Sequence, residues 1–121
     1  MTELNETLPL YSGNDDLTLP LMAMGAVGCI SVLSNVLPRS TETLCDALLQ
    51  NDLPAARSLH YRLLPLAKAL FCEVNPIPVK ALMPLAGYDC GGCRMPLSAI
   101  EPEHLALLQK HFVMAKDAGL C

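Results

Sequence analysis

Apolar and polar residues fall in blocks along this chain, and the length of each block points to the element it forms. Residues 8–12 (LPLYS) are a short apolar run closed by Gly13, Asn14, Asp15 and Asp16. That pattern predicts a buried strand ending in a polar turn, with N-cap candidates for the helix that follows. Residues 17–24 read as a short helix stopped by Gly25. A tight connection through Gly28 then enters a second apolar run, residues 29–33 (CISVL). Strand, helix and strand joined by short loops make a βαβ unit, so the two strands are expected to be parallel neighbours. Neither run alternates apolar with polar residues, as expected for strands covered on both faces.

From Asn35 onward the pattern turns helical. Residues 39–50 carry Leu44, Leu48 and Leu49 on one side, and Asn51-Asp52 break the run. Beyond Pro54, the positions Ala56, Leu59, Leu63, Leu66 or Ala67, and Leu70 recur at helical spacing as far as Phe71. Pro65 lies inside this pattern and is expected to kink it. Asn75-Pro76-Ile77-Pro78 reads as a helix start, with Asn75 as cap and both prolines in the first turn, where N–H groups lack intrahelical partners. That helix runs toward Gly87, and its interior Pro84, at a cost of about 3 kcal/mol, should shorten or bend it. A loop rich in Gly and Cys follows at 88–96. The last helix starts near Glu101-Pro102-Glu103, buries Leu105, Leu108, Phe112 and Ala115, and stops at Gly119. Two apolar strands followed by helices alone leave a two-stranded parallel sheet with both edges open. The order reads as a piece of a larger parallel structure, or as half of an assembly.

Composition narrows this picture. A chain of 121 residues supports one modest core. Net charge is −4, and the 8 Lys and Arg residues are dispersed, which argues against a nucleic-acid surface. Apolar residues make up 52% and mean hydropathy is +0.37, so some faces are expected to be covered by material outside this chain. No charge falls between Asp16 and Arg39, yet Pro20, Gly25, Gly28, Asn35 and Pro38 divide that stretch into short elements, against a membrane span. Residues 1–9 have neither the basic nor the apolar region of an export signal. Six widely spaced cysteines then read as free thiols in a reducing cytoplasm.

LYSGNDD at 10–16, GCISVLSNV at 28–36, RLLPL at 62–66, EVNPIPVK at 73–80 and RMPLS at 94–98 together resemble the dihydrodipicolinate synthase family, over residues 8–120. The resemblance implies an α/β fold: the C-terminal fragment of a (β/α)8 TIM barrel, with its last two parallel strands in residues 1–50 and a C-terminal helical extension in 51–121. It implies a class I lyase that condenses pyruvate, held as a Schiff base on a lysine, with aspartate semialdehyde on the route to lysine and diaminopimelate. No cofactor is implied. In that family the lysine lies on the sixth strand, with the proton-relay tyrosines and threonines further upstream, so this chain is expected to begin after all of them. Lys68, Lys80, Lys110 and Lys116 all fall on expected helices, and none is a Schiff-base candidate. The chain alone is therefore expected to be inactive.

Two positions are implied as substrate-binding by the match. Ile30 would offer its backbone carbonyl to the pyruvate region, its side chain being core, and Gly13 would let the backbone approach the keto acid without a Cβ in the way. Read locally, Gly13 is a turn glycine needing an unusual φ. Asp15 and Asp16 read as helix-start residues rather than catalytic acids. Cys90-Gly91-Gly92-Cys93 has no second pair to complete a zinc site, so it reads as a surface loop, and His60, His104 and His111 as surface or boundary residues. Expected partners are pyruvate and either a second copy or the missing N-terminal half of the barrel. The alternatives are another pyruvate aldolase of the N-acetylneuraminate lyase or 2-keto-3-deoxy sugar acid type, and a non-enzymatic helical interaction protein.

Overall fold

Two short parallel strands lie side by side because a six-residue helix returns the chain between them. In the computed structural model, which describes residues 8–121, β1 (Tyr11–Ser12) pairs with β2 (Gly28–Cys29), Tyr11 opposite Gly28 and Ser12 opposite Cys29. The ladder extends beyond both ends: Val27 N–H donates to the Leu10 carbonyl at 2.8 Å, and Ile30 N–H to the Ser12 carbonyl at 2.7 Å. Gly28 leaves room for the Tyr11 ring, which a Cβ there would meet at 3.2 Å. The polar stretch at 1–7, read above as lacking an export signal, lies outside the described residues.

The βαβ unit is present, but both strands are shorter than their apolar runs suggest. Residues 13–17 pass through a turn and a single 3-10 turn (Asp15–Leu17) into α1 (Thr18–Ala23). Past Cys29 the chain leaves the ladder, and Leu33–Asn35 forms another 3-10 turn. Within this chain only one face of the ladder is covered: Tyr11 is 54% exposed and Ile30 70%, whereas Ser12 is fully buried. One face of the ladder packs on the helices of this chain; the other has nothing over it among the described residues.

The helices end where local chemistry stops them. At α1, Gly25 adopts φ 107° and Ala26 N–H returns to the Leu21 carbonyl at 2.9 Å, with Gly25 N–H on Met22, a Schellman closure. Asn51, at φ 59°, closes α2 (Pro38–Leu49) in the same way, Asp52 N–H reaching the Ala47 carbonyl at 2.8 Å. Gly119 closes α5 (Pro102–Asp117) through Leu120 N–H on Ala115 at 3.0 Å. Asp52 then caps the next helix, α3 (Leu53–Ala69), its carboxylate accepting Ala55 N–H at 3.1 Å.

Prolines behave less uniformly. Pro65 sits within a continuous α3 on its exposed side; it withholds the N–H that the Tyr61 carbonyl would receive, but does not end the helix. Pro84 does shorten its helix: α4 (Ile77–Leu82) gives way to a 3-10 turn at Met83–Ala86. The Lys80 carbonyl, deprived of the N–H that residue 84 would supply, has the Cys90 thiol as donor at 3.6 Å. Asn75 is not the cap of α4. The helix begins at Ile77, so Pro76 occupies the flanking position and Asn75 stands one residue outside it.

One apolar cluster joins these elements, drawing on residues from Met22 to Leu120. Leu37, Leu70, Leu82 and Leu108 are fully buried in it, each contributing roughly 1.5–3 kcal/mol relative to exposure. Leu48 and Leu44 face this core as expected, but Leu49 is 58% exposed, because it follows Leu48 by one position and lies about 100° further round the helix. The chain end is held down twice, by Ser40 Oγ donating to the Leu120 carbonyl and by the Arg62 guanidinium donating to that of Ala118.

Candidate functional site

Parallel strands with their C-terminal ends together create a rim at which backbone groups are no longer used by the ladder. Here that rim consists of Gly13 to Asp15 after β1, and Ile30 to Val32 after β2. Asp15 holds the two sides together. Its buried carboxylate accepts N–H groups of Val32 and Leu33, each at 3.0 Å, and the Ser31 hydroxyl as well. Ser31 Oγ in turn accepts Ser34 N–H at 2.8 Å. The first turn after β2 thus has its free N–H groups satisfied from the turn after β1. On the β1 side, Ser12 Oγ donates to the Asn14 carbonyl at 2.7 Å, and Thr18 Oγ1 donates to the same carbonyl at 3.3 Å.

The structure brings Gly13 and Ile30 to this rim together, since Ile30 N–H binds the carbonyl of the residue before Gly13. Among the described residues, no N–H or O–H donates to the Ile30 carbonyl. Within this chain the Ile30 side chain is not part of the core: it lies on the uncovered side of the ladder and is 70% exposed. Gly13 is not among the glycines with positive φ, and a Cβ built on it meets nothing within 4 Å. Gly13 is therefore not a turn glycine held at positive φ.

Two grooves flank the rim on the helical side, and each is lined by a lysine. One, of about 340 Å³, is lined by Val32, Asn35, Asn75, Pro76, Val79 and Lys80. The other, of about 250 Å³, is lined by Asn14, Asp16, Lys68 and Phe71. Lys68 is exposed on α3 and Lys80 half-buried on α4, while Lys110 and Lys116 are exposed on α5. Lys116 extends over the Phe112 ring, 5.3 Å from its centre.

Beneath the rim lies a pair that sequence reasoning missed. The Cys29 and Cys45 sulfurs are 3.7 Å apart, one at the end of β2 and the other on α2. The Cys45 thiol favours the Cys29 thiolate, outweighing burial, with smaller help from Thr18 and opposition from Asp15; Cys29 is lowered from 9.0 to about 7. Cys45 is correspondingly pushed up, first by its bond to Cys29 and then by burial. The two stand sixteen positions apart, and no motif spacing signals the contact.

Elsewhere, His104 has a partner that sequence reasoning did not give it. Glu73 Oε1 lies 2.7 Å from His104 Nδ1 and accepts Glu101 N–H at 2.9 Å, at the start of α5. His60 stands edge-on to Tyr61, with ring centres 5.8 Å apart. Cys90 is exposed and Cys93 half-buried in the loop before α5.

The fold recurs in proteins of known family. The model of the dihydrodipicolinate synthetase family matches residues 1–114. This chain belongs to that family. The 4-hydroxy-tetrahydrodipicolinate synthase of Methanocaldococcus jannaschii is 42% identical over 113 residues, which are 93% of this chain and 38% of the relative. That of an Exiguobacterium species is 52% identical over 97 residues, 80% of this chain and 33% of the relative. Among solved structures, the dihydrodipicolinate synthase of Thermotoga maritima superposes with a TM-score of 0.88 at 38% identity, over 99% of this chain and 40% of its own. The chloride-inhibited enzyme of Acinetobacter baumannii, solved with pyruvate, gives 0.86 at 36% identity, over 99% and 40%. The chain spans about two fifths of the length of the family relatives it matches. No helix among the described residues is long and apolar enough to cross a membrane.

Proposed function

We propose that these residues form the last two βα units (1–50) and the helical extension (51–121) of a cytoplasmic 4-hydroxy-tetrahydrodipicolinate synthase, contributing one wall of its pyruvate pocket. The observation that supports this is the paired rim: the Ile30 carbonyl without a donor, beside a Gly13 with open space around it. Pyruvate would lie against both, as the family resemblance implies. The names of the relatives favour this lyase over the sialic-acid and sugar-acid aldolases. The remaining barrel strands would cover Tyr11 and Ile30 and supply the imine-forming lysine. The four lysines here are helix residues, two of them bordering the rim from outside, and a Schiff-base lysine needs a dry pocket at the barrel mouth.

Two experiments test the two halves of this reading. In a chimera, this chain replaces the corresponding C-terminal part of the Methanocaldococcus relative, and borohydride is added with pyruvate. A covalent adduct on the lysine of the relative's portion is expected, and Gly13→Val should abolish or strongly reduce it. A folded chimera that traps no pyruvate would remove the proposal. With the 121-residue chain by itself no adduct is expected, and one on Lys68 or Lys80 would overturn the prediction that it does not form the imine.

A further inference from the structure

The sulfur pair beneath the rim is not needed for any role of the pyruvate wall. Cys29 ends β2, Cys45 lies midway along α2, and both are free and half-buried. Their sulfurs, 3.7 Å apart, need to approach by roughly 1.7 Å to reach covalent distance. A metal ion is a poor occupant, because no group of three or more His, Cys, Asp or Glu residues converges among the described residues, and two sulfurs complete no tetrahedral shell. A redox reaction needs only the two sulfurs. The two sulfurs share a hydrogen bond, so one carries the thiolate while the other holds the proton, and Thr18 faces Cys29 as an additional donor that favours its thiolate.

We propose that Cys29 and Cys45 form an oxidisable dithiol site for a small hydroperoxide, with Cys29 as the attacking sulfur and Cys45 as the resolving one. In the first step the Cys29 thiolate attacks the terminal oxygen of the hydroperoxide. A sulfur–oxygen bond forms, the O–O bond breaks, and the leaving oxygen takes a proton as an alcohol or water; Cys29 becomes a sulfenic acid while the peroxide is reduced by two electrons. In the second step the Cys45 sulfur attacks Cys29, the S–O bond breaks and the S–S bond forms. The departing hydroxyl carries off the Cys45 proton as water. Partial burial restricts the oxidant to a small one. The product ties the end of β2 to α2, bracing the strand whose next residue is Ile30.

The chain cleaves conveniently for a test. Trypsin cuts after Arg39 and Arg57, leaving Cys29 as the sole cysteine of residues 1–39 and Cys45 as the sole cysteine of 40–57. After treatment of the folded 121-residue chain with substoichiometric hydrogen peroxide, these two peptides should appear joined ahead of any other cysteine pair. The same treatment in urea should scatter the pairing. Cys45→Ser should leave Cys29 as a sulfenic acid trapped by dimedone, and Cys29→Ser should leave Cys45 unlabelled. Preferential coupling among Cys72, Cys90, Cys93 and Cys121, or dimedone labelling of Cys45 rather than Cys29, would overturn the assignment. Equal cross-linking in folded and unfolded chain would do the same.

Discussion

The Asp15 carboxylate, in the turn after the first strand, receives the backbone N–H of Leu33 at 3.0 Å, beyond the end of the second strand. Val32 N–H arrives at the same oxygen at the same distance, and the Ser31 hydroxyl at the other. A single buried side chain therefore fixes the relative position of the two strand ends, and so of Gly13 and Ile30. Hydrogen bonds to a charged group contribute more than neutral ones, and buried N–H groups left without acceptors carry their full desolvation cost. Asp15→Ala is expected to lower unfolding free energy by about 3 kcal/mol, since two N–H groups and a hydroxyl lose their acceptor. Asp16→Ala, which removes none of these bonds, should change it by about 0.5 kcal/mol at most. Urea denaturation of both variants checks the contrast; equal effects would show that Asp15 does not organise the rim.

The start of α5 depends on a different carboxylate. Glu73 is held below its ordinary 4.5 chiefly by the Glu101 N–H, with the bond from His104 next. A carboxylate depressed in the folded state stabilises it fully above the unfolded value, and the contribution fades as pH falls through the folded value. The stability difference between the native chain and Glu73→Gln should therefore shrink toward zero on acidification below about pH 4. Denaturation midpoints across that range read it directly. A difference that grows on acidification would reverse the sign and reject the account.

How much of this was readable beforehand depended on the range of the interaction. Gly25, Gly119 and Asn51-Asp52 marked helix ends correctly because a left-handed residue and two backbone bonds close each helix within six residues. The paired strands were readable from the tight βαβ connection. Their lengths were not, since Ser31 and Val32 look like strand residues until Asp15, sixteen positions earlier, draws them into a turn. The same holds for Cys29 and Cys45. Ile30 was placed in a core because its neighbours are apolar, but what would cover its side chain is not in these residues, and family resemblance alone marked its carbonyl.

Thiol reactivity gives a prediction separate from oxidation. Cys29 is lowered from 9.0 to about 7, mainly by the Cys45 thiol. Its thiolate, the alkylating form, accumulates as pH rises through that value. Iodoacetamide labelling of the peptide spanning 1–39 should therefore rise with a midpoint near pH 7, and Cys45→Ala should move that midpoint upward, toward the ordinary 9.0. Labelling of the peptide that ends in Cys121, whose thiol is raised by burial, should require a higher pH. Mass spectrometry of quenched reactions distinguishes the three. A midpoint unchanged by Cys45→Ala would mean that the neighbouring sulfur does not govern Cys29.

The uncovered side of the ladder makes the last prediction. Tyr11 and Ile30 are 54% and 70% exposed on one face of a two-stranded sheet with open edges. Such a surface associates unless something covers it, because open strands offer unpaired backbone groups and apolar side chains favour burial. Purified alone, the chain should form concentration-dependent oligomers in light scattering coupled to size exclusion. Tyr11→Thr with Ile30→Thr should increase the monomer fraction, whereas Tyr61→Thr and Val113→Thr, on exposed helix positions, should leave it unchanged. Threonine is β-branched and suits a strand, so the doubled variant tests surface hydrophobicity more than strand formation. If the helix substitutions dissociate the oligomer and the strand pair does not, the contact lies on the helical face, and the ladder is not the surface that seeks a partner.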